Sequence, residues 1–195
     1  MIIAKVPQLQ TIYASFETEA SVYKAHAACR RGCAFCCTDA GSIHITTLEG
    51  LAIGEALARL AKPQQKTVRK SIERDLRRRE QGLHSACPFL MKNKACMIYS
   101  DRPFACRRIY SLRTCSKSHP ATLSSHVMAM GDKTINLLQQ LDHTGYSGHM
   151  TFILYMLEAA RFRSTYLDGD FKPEELADFG KSHRIIINRT LSPPS

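Results

Sequence analysis

Residues 29–37 read Cys-Arg-Arg-Gly-Cys-Ala-Phe-Cys-Cys, which places four thiols within nine residues. No other stretch restricts the fold so strongly. A thiolate is a strong, soft ligand, and these short spacings let one loop offer several sulfurs to one ion. Further cysteines follow at Cys87, Cys96, Cys106 and Cys115. The chain has 195 residues, enough to bury a full hydrophobic core without metal. The thiols therefore point to a metal centre built by Cys29, Cys33 and Cys36 with help from downstream, and not to a staple for an undersized domain.

No apolar run approaches the roughly 20 residues of a membrane span. The N-terminal Met1-Ile2-Ile3-Ala4-Lys5-Val6-Pro7 has no apolar core or cleavage site of a secretory leader. The expectation is a cytoplasmic protein with no membrane partner. In that reducing compartment, clustered cysteines signal metal or redox chemistry more than disulfides. The formal net charge is +10, and a basic surface speeds encounter with anionic partners.

Hydrophobic spacing predicts a mostly α fold. It should be one compact helical domain of about six helices, with cysteine-rich loops and a small hairpin at one end. Leu9, Ile12, Tyr13, Phe16, Ala20, Tyr23 and Ala27 recur at helical steps, predicting a helix from residue 9 to about 30 that runs into the cysteine loop. Gly32 allows a sharp turn there. Residues 42–46 alternate as a short strand. Thr46 and Glu49 then form a capping box for a helix that Pro63 ends.

Residues 66–81 form a second helix. From Arg59 through Glu80 there are nine basic and three acidic residues. The apolar stripe is only Val68, Ile72, Leu76 and Leu83, and no aromatic interleaves the charges to stack bases. This reads as a solvated outer face before it reads as a nucleic-acid site. Lys92-Asn93-Lys94 suits a hairpin tip, and Pro103 suits a helix start. Helices are expected over residues 123–141 and 150–167, with a short one over 173–179. A disordered tail is expected at 191–195. No linker divides the 195 residues.

The 29–37 spacing admits three readings. A radical S-adenosylmethionine cluster fits the spacing, but its loop follows the first strand of a barrel, and here it follows a helix. Four thiolates close a structural zinc site. An iron–sulfur cluster also takes four cysteines. Spacing alone does not separate the last two.

The wider pattern narrows the choice. It comprises residues 29–37, Thr46-Thr47-Leu48-Glu49, Cys87-Pro88-Phe89-Leu90, and the run from Cys96-Met97-Ile98-Tyr99 through Arg102-Pro103-Phe104-Ala105-Cys106-Arg107. Together these resemble the YkgJ-type cysteine-cluster family, whose members are described as zinc- or iron-chelating proteins. The resemblance covers about residues 29–110. It implies metal ligands at Cys29, Cys33, Cys36, Cys37, Cys87, Cys96 and Cys106, and it leaves Cys115 outside.

Adjacent Cys36 and Cys37 are expected to diverge. One centre of Cys29, Cys33, Cys36 and a downstream thiol, Cys106 for choice, is preferred over two. Arg30, Arg31, Arg102, Arg107 and Arg108 would offset thiolate charge. Tyr99 and Phe104 would shield the site from water.

Flagellin lysine N-methylases carry a similar cysteine pattern, associated there with an iron–sulfur cluster. The lean is therefore an iron–sulfur cluster over zinc. A related lysine N-methylase is the enzymatic alternative, though no S-adenosylmethionine site is identifiable. A zinc-stabilised module for a protein or nucleic-acid partner, docking through residues 59–79, is the third reading.

Overall fold

The structure is a computed structural model that describes residues 2–30, 32–38, 43–170 and 172–191. Helices dominate, as expected. A 3-10 turn over Ile2–Lys5 leads into α1 (Val6–Glu19), then α2 (Ser21–Lys24) and the single-turn α3 (Phe35–Thr38). Strand β1 (His44–Thr46) feeds α4 (Thr47–Arg59), followed by α5 (Lys62–Glu80) and α6 (Phe104–Arg108). Then come α7 (Ser125–Leu141), β2 (Tyr146–His149), α8 (Met150–Glu158) and α9 (Ala160–Leu167). A 3-10 turn (Pro173–Leu176), α10 (Ala177–His183), β3 (Ile186–Ile187) and a last 3-10 turn (Asn188–Leu191) complete the described chain.

The strands form one antiparallel sheet in the order β1-β2-β3. His44 faces His149 and Thr46 faces Ser147, while Tyr146 faces Ile187. Two of the strands turn directly into core helices. Thr46 caps α4 with its side chain, and Glu49 reaches back to the Thr46 N–H at 2.8 Å. His149 caps α8 by accepting from the Thr151 N–H at 3.2 Å. Helix α4 packs on α8, α8 on α5, and α1 on α7 and α4. Leu9, Leu48, Ile53, Val68, Phe89, Phe104, Val127 and Ile153 are fully buried between them. Among the described residues no helix is long and apolar enough to cross a membrane.

Asp142 ties the C-terminal half to the start of α4. Its wholly buried carboxylate accepts from Thr47 Oγ1 (2.7 Å), the Leu48 N–H (3.0 Å) and Tyr166 Oη (2.7 Å). Asn188 donates to the Asp142 carbonyl at 2.9 Å. Gly145 lies against this knot. A Cβ there would fall inside contact distance of Thr47 Oγ1 and of both Asp142 oxygens. Gly145→Ala should therefore cost about 3 kcal/mol in urea unfolding, the upper end for overpacking a fixed site.

Four expectations are corrected. The first helix ends by Lys24 instead of reaching residue 30, because the Ala28 N–H donates to the Ser111 carbonyl (2.7 Å) and the chain leaves the helical path. Pro63 lies in the first turn of α5 and so starts that helix, while α4 has already stopped at Arg59 with Leu60 extended. Leu83 is not part of the α5 stripe but is exposed beyond its end. The helix expected over 150–167 breaks at Ala159, which has ψ 113°. That break reorients α9 so that Tyr166 reaches Asp142. Strands β2 and β3 were not anticipated. Ser42, Arg31 and the tail from residue 192 lie outside the described residues.

Candidate metal centre

Three chain segments meet around Cys36. The first is α3, where the Cys37 N–H donates to the Ala34 carbonyl at 2.9 Å. Gly32, at φ +88°, makes the turn that precedes it. The second segment is a tight hairpin. The Met91 N–H donates to the Ala95 carbonyl (2.8 Å), Leu90 bridges Cys96, and Lys94 adopts a left-handed φ of 63° at the tip. Cys87 and Cys96 stand on its two arms. The third segment is α6, which carries Cys106. The Cys87 N–H donates to the Cys37 carbonyl at 2.8 Å, joining the first segment to the second.

Buried side chains fix these segments to the core. Phe89, Ile98 and Phe104 are almost completely enclosed. Phe104 packs edge-on against Phe16, with ring centroids 4.8 Å apart. Arg107 works as a staple. It donates to Glu17 (2.9 Å), the Arg102 carbonyl (2.8 Å) and the Ser100 carbonyl (2.6 Å), and lies over the Tyr13 ring. Phe104 and Arg107 therefore hold α6 in place, and the charge offset expected of the arginines is seen at Arg102, which favours the thiolates of Cys96 and Cys106. Tyr99 is 65% exposed and stacks with Arg102, so it does not cover the site. Arg102 also donates to the Tyr99 carbonyl at 2.8 Å, anchoring the turn.

All eight cysteines are free thiols. Cys36 and Cys37 turn toward each other instead of diverging, and their thiols share a hydrogen bond. That bond holds Cys36 down to about 7 and pushes Cys37 up. Burial raises Cys87 to about 11 and raises Cys96 and Cys106 as well. Cys87, Cys96 and Cys106 each feel the charge of Cys36.

Cys29 and Cys33 lie elsewhere. They line a cavity of about 320 Å³ together with Ala28, Arg30, Gly32, Arg113, Thr114 and Cys115. Cys36 is within electrostatic reach of Cys29 too. Among the described residues no three Cys, His, Asp or Glu side chains are gathered closely enough to hold an ion as they stand. The donors nonetheless fit zinc or iron in kind, being free soft sulfurs drawn from three segments to one end of the helical core.

A polar cluster missed in the sequence flanks the Cys87 arm. Asp75 is 1% exposed and accepts from Thr151 Oγ1 (2.6 Å) and Arg79 Nε (2.7 Å). His149, opposite His44 in the sheet, is buried beside them. Lone histidines scattered in sequence gave no signal of this. Burial, with Arg79 nearby, pushes His149 from 6.5 down to about 3. The folded state thus refuses a proton that the unfolded chain takes up below about pH 6.5. Stability from this group is complete above that pH and is lost as pH falls toward 3. His149→Asn keeps a cap acceptor and cannot titrate. Between about pH 6 and 4 the wild-type protein should lose about 1.4 kcal/mol per pH unit relative to His149→Asn in urea unfolding.

The site is that of a helical, cysteine-rich metal-chelating domain. A family model, CxxCxxCC, described as a putative zinc- or iron-chelating domain, matches residues 28–126, about half of the chain. The chain belongs to this family. No curated protein and no solved structure matched it. The matched segment contains all eight cysteines, so Cys115, outside the resemblance read from sequence, lies inside the family's span.

Proposed function

We propose that the protein is a metal-binding protein whose principal centre is an iron–sulfur cluster held by Cys36, Cys87, Cys96 and Cys106. Cys37 tunes it through its hydrogen bond to Cys36. The observation that carries this reading is the backbone bond from Cys87 to Cys37, which draws the second thiol segment onto the first, with Cys106 of the third within electrostatic reach of Cys36 and Cys87. Four thiols serve a cluster or a single zinc equally, and the lean to a cluster rests on the similar cysteine pattern of the flagellin lysine N-methylases. The cluster would supply redox or structural chemistry. The chain's own residues partly bury the sulfurs and fix the hairpin and α6. The cysteine core, about residues 29–115, and the helices around it act as one domain.

Elemental analysis and an absorption spectrum of protein purified without oxygen test this. Brown protein with iron and a broad band at roughly 400 nm is expected. Colourless protein with one or two zincs per chain would replace the cluster by closed zinc sites.

A further inference from the structure

Cys115 lies outside the family pattern read from the sequence, yet the fold places it in one cavity with Cys29 and Cys33. Ser111 is the hinge of that placement. Almost fully buried, it accepts from the Ala28 N–H through its carbonyl (2.7 Å) and donates its own N–H to Cys29 Sγ (3.2 Å). Its hydroxyl accepts from the Arg113 N–H (3.2 Å) and the Thr122 N–H (3.0 Å), closing the loop that carries Cys115. Leu112 donates to the Thr122 carbonyl at 2.9 Å at the base of the same loop. One residue thus positions Cys29 directly and the Cys115 loop through its neck.

The cavity these thiols line contains none of Cys37, Cys87, Cys96 and Cys106. It is open to solvent, and its remaining wall includes Arg30 and Arg113. A water occupies about 30 Å³ of liquid, so about 320 Å³ leaves room for an ion and a further ligand. Three thiolates with a divalent cation carry one net negative charge, which the two guanidinium groups offset. An N–H donated to a ligating sulfur is the usual outer support of a thiolate site.

We propose that Cys29, Cys33 and Cys115 hold a second, thiophilic divalent cation, separate from the Cys36 centre, with its fourth coordination position open to the cavity. This rests on the reading of the chain as a thiolate metal binder. The three thiols are not gathered as they stand, so ligation requires the surface loop 113–115 to close on Cys29 and Cys33.

The test is titration of the protein, as purified without oxygen, with Co(II), followed by thiolate-to-cobalt absorption and by mass-spectrometric mapping of iodoacetamide alkylation. Wild type should bind one added Co(II), and Cys29, Cys33 and Cys115 should become protected together. Cys115→Ser should lose that equivalent and expose Cys29 and Cys33 while retaining the iron or zinc with which it was purified. Ser111→Ala should weaken Co(II) binding, and Cys106→Ser should leave it intact. Co(II) binding by Cys115→Ser at the wild-type level would overturn the proposal. So would loss of Co(II) protection in Cys106→Ser, which would mean one shared centre. Protein purified with no iron or zinc that still binds one Co(II) through Cys115 would overturn the principal centre and leave this one standing.

Discussion

Cys36→Ser protein, purified without oxygen, should contain almost none of the wild-type iron or zinc. Cys36 shares a hydrogen bond with Cys37 and lies within electrostatic reach of Cys29, Cys87, Cys96 and Cys106, so its sulfur is central to the principal group. Serine keeps the shape, but its hydroxyl stays protonated near neutrality and ligates poorly. Metal that binds only the folded state adds to stability by mass action, so the melting temperature should fall as well. The core of α1, α4, α7 and α8 does not contain the thiols. Far-ultraviolet circular dichroism should therefore show that most helix survives, the loss being confined to the cysteine segments. Retention of wild-type metal by Cys36→Ser would remove it from the ligand set.

Glu49→Ala should destabilise the protein by about 3–5 kcal/mol, the range for stripping one partner from a buried charged network. For a chain of this size that is a fall of about 10 °C in Tm. Glu49 is 3% exposed. Its Oε1 accepts from Tyr13 Oη (2.7 Å) and the Phe104 N–H (2.8 Å), and its Oε2 accepts from the Thr46 N–H (2.8 Å). One carboxylate thus joins α1, the start of α4 and the start of α6. Burial raises its pKa, and the three donors oppose that rise. Alanine would leave all three donors dry and unpaired. Because Phe104 opens the helix that bears Cys106, metal retention should fall alongside Tm. Differential scanning calorimetry and metal analysis on the same sample measure both.

The Thr46-Glu49 capping box was legible because its two halves are three residues apart and each satisfies a backbone donor of the other. Nothing local revealed that the same glutamate also holds Tyr13 and Phe104, which are 36 and 55 residues away. The helical class was legible for the same reason, since amphipathic spacing is a local signal. Helix ends were not. Residues 25–30 have helical composition, but the Ala28–Ser111 bond competes for them, and that partner is 83 positions downstream. Strand β2, Tyr146-Ser147-Gly148-His149, has no alternation because it is the central strand and buried on both faces. Of the site, the soft-ligand chemistry was readable from 29–37. The proposed division of the sulfurs was not, because sequence spacing places Cys29 and Cys33 beside Cys36. The turn at Gly32 and the bond to Ser111 carry those two to the cavity that Cys115 shares.

X-ray absorption at the iron and zinc edges of the protein purified without oxygen tests the central claim, thiolate ligation of a metal, most directly. It identifies the metal and its nearest atoms in one measurement. The account predicts a first shell of sulfur alone at about 2.3 Å, the distance of thiolate ligation. A shell of nitrogen and oxygen at about 2.0–2.1 Å, or protein with neither metal, would contradict it.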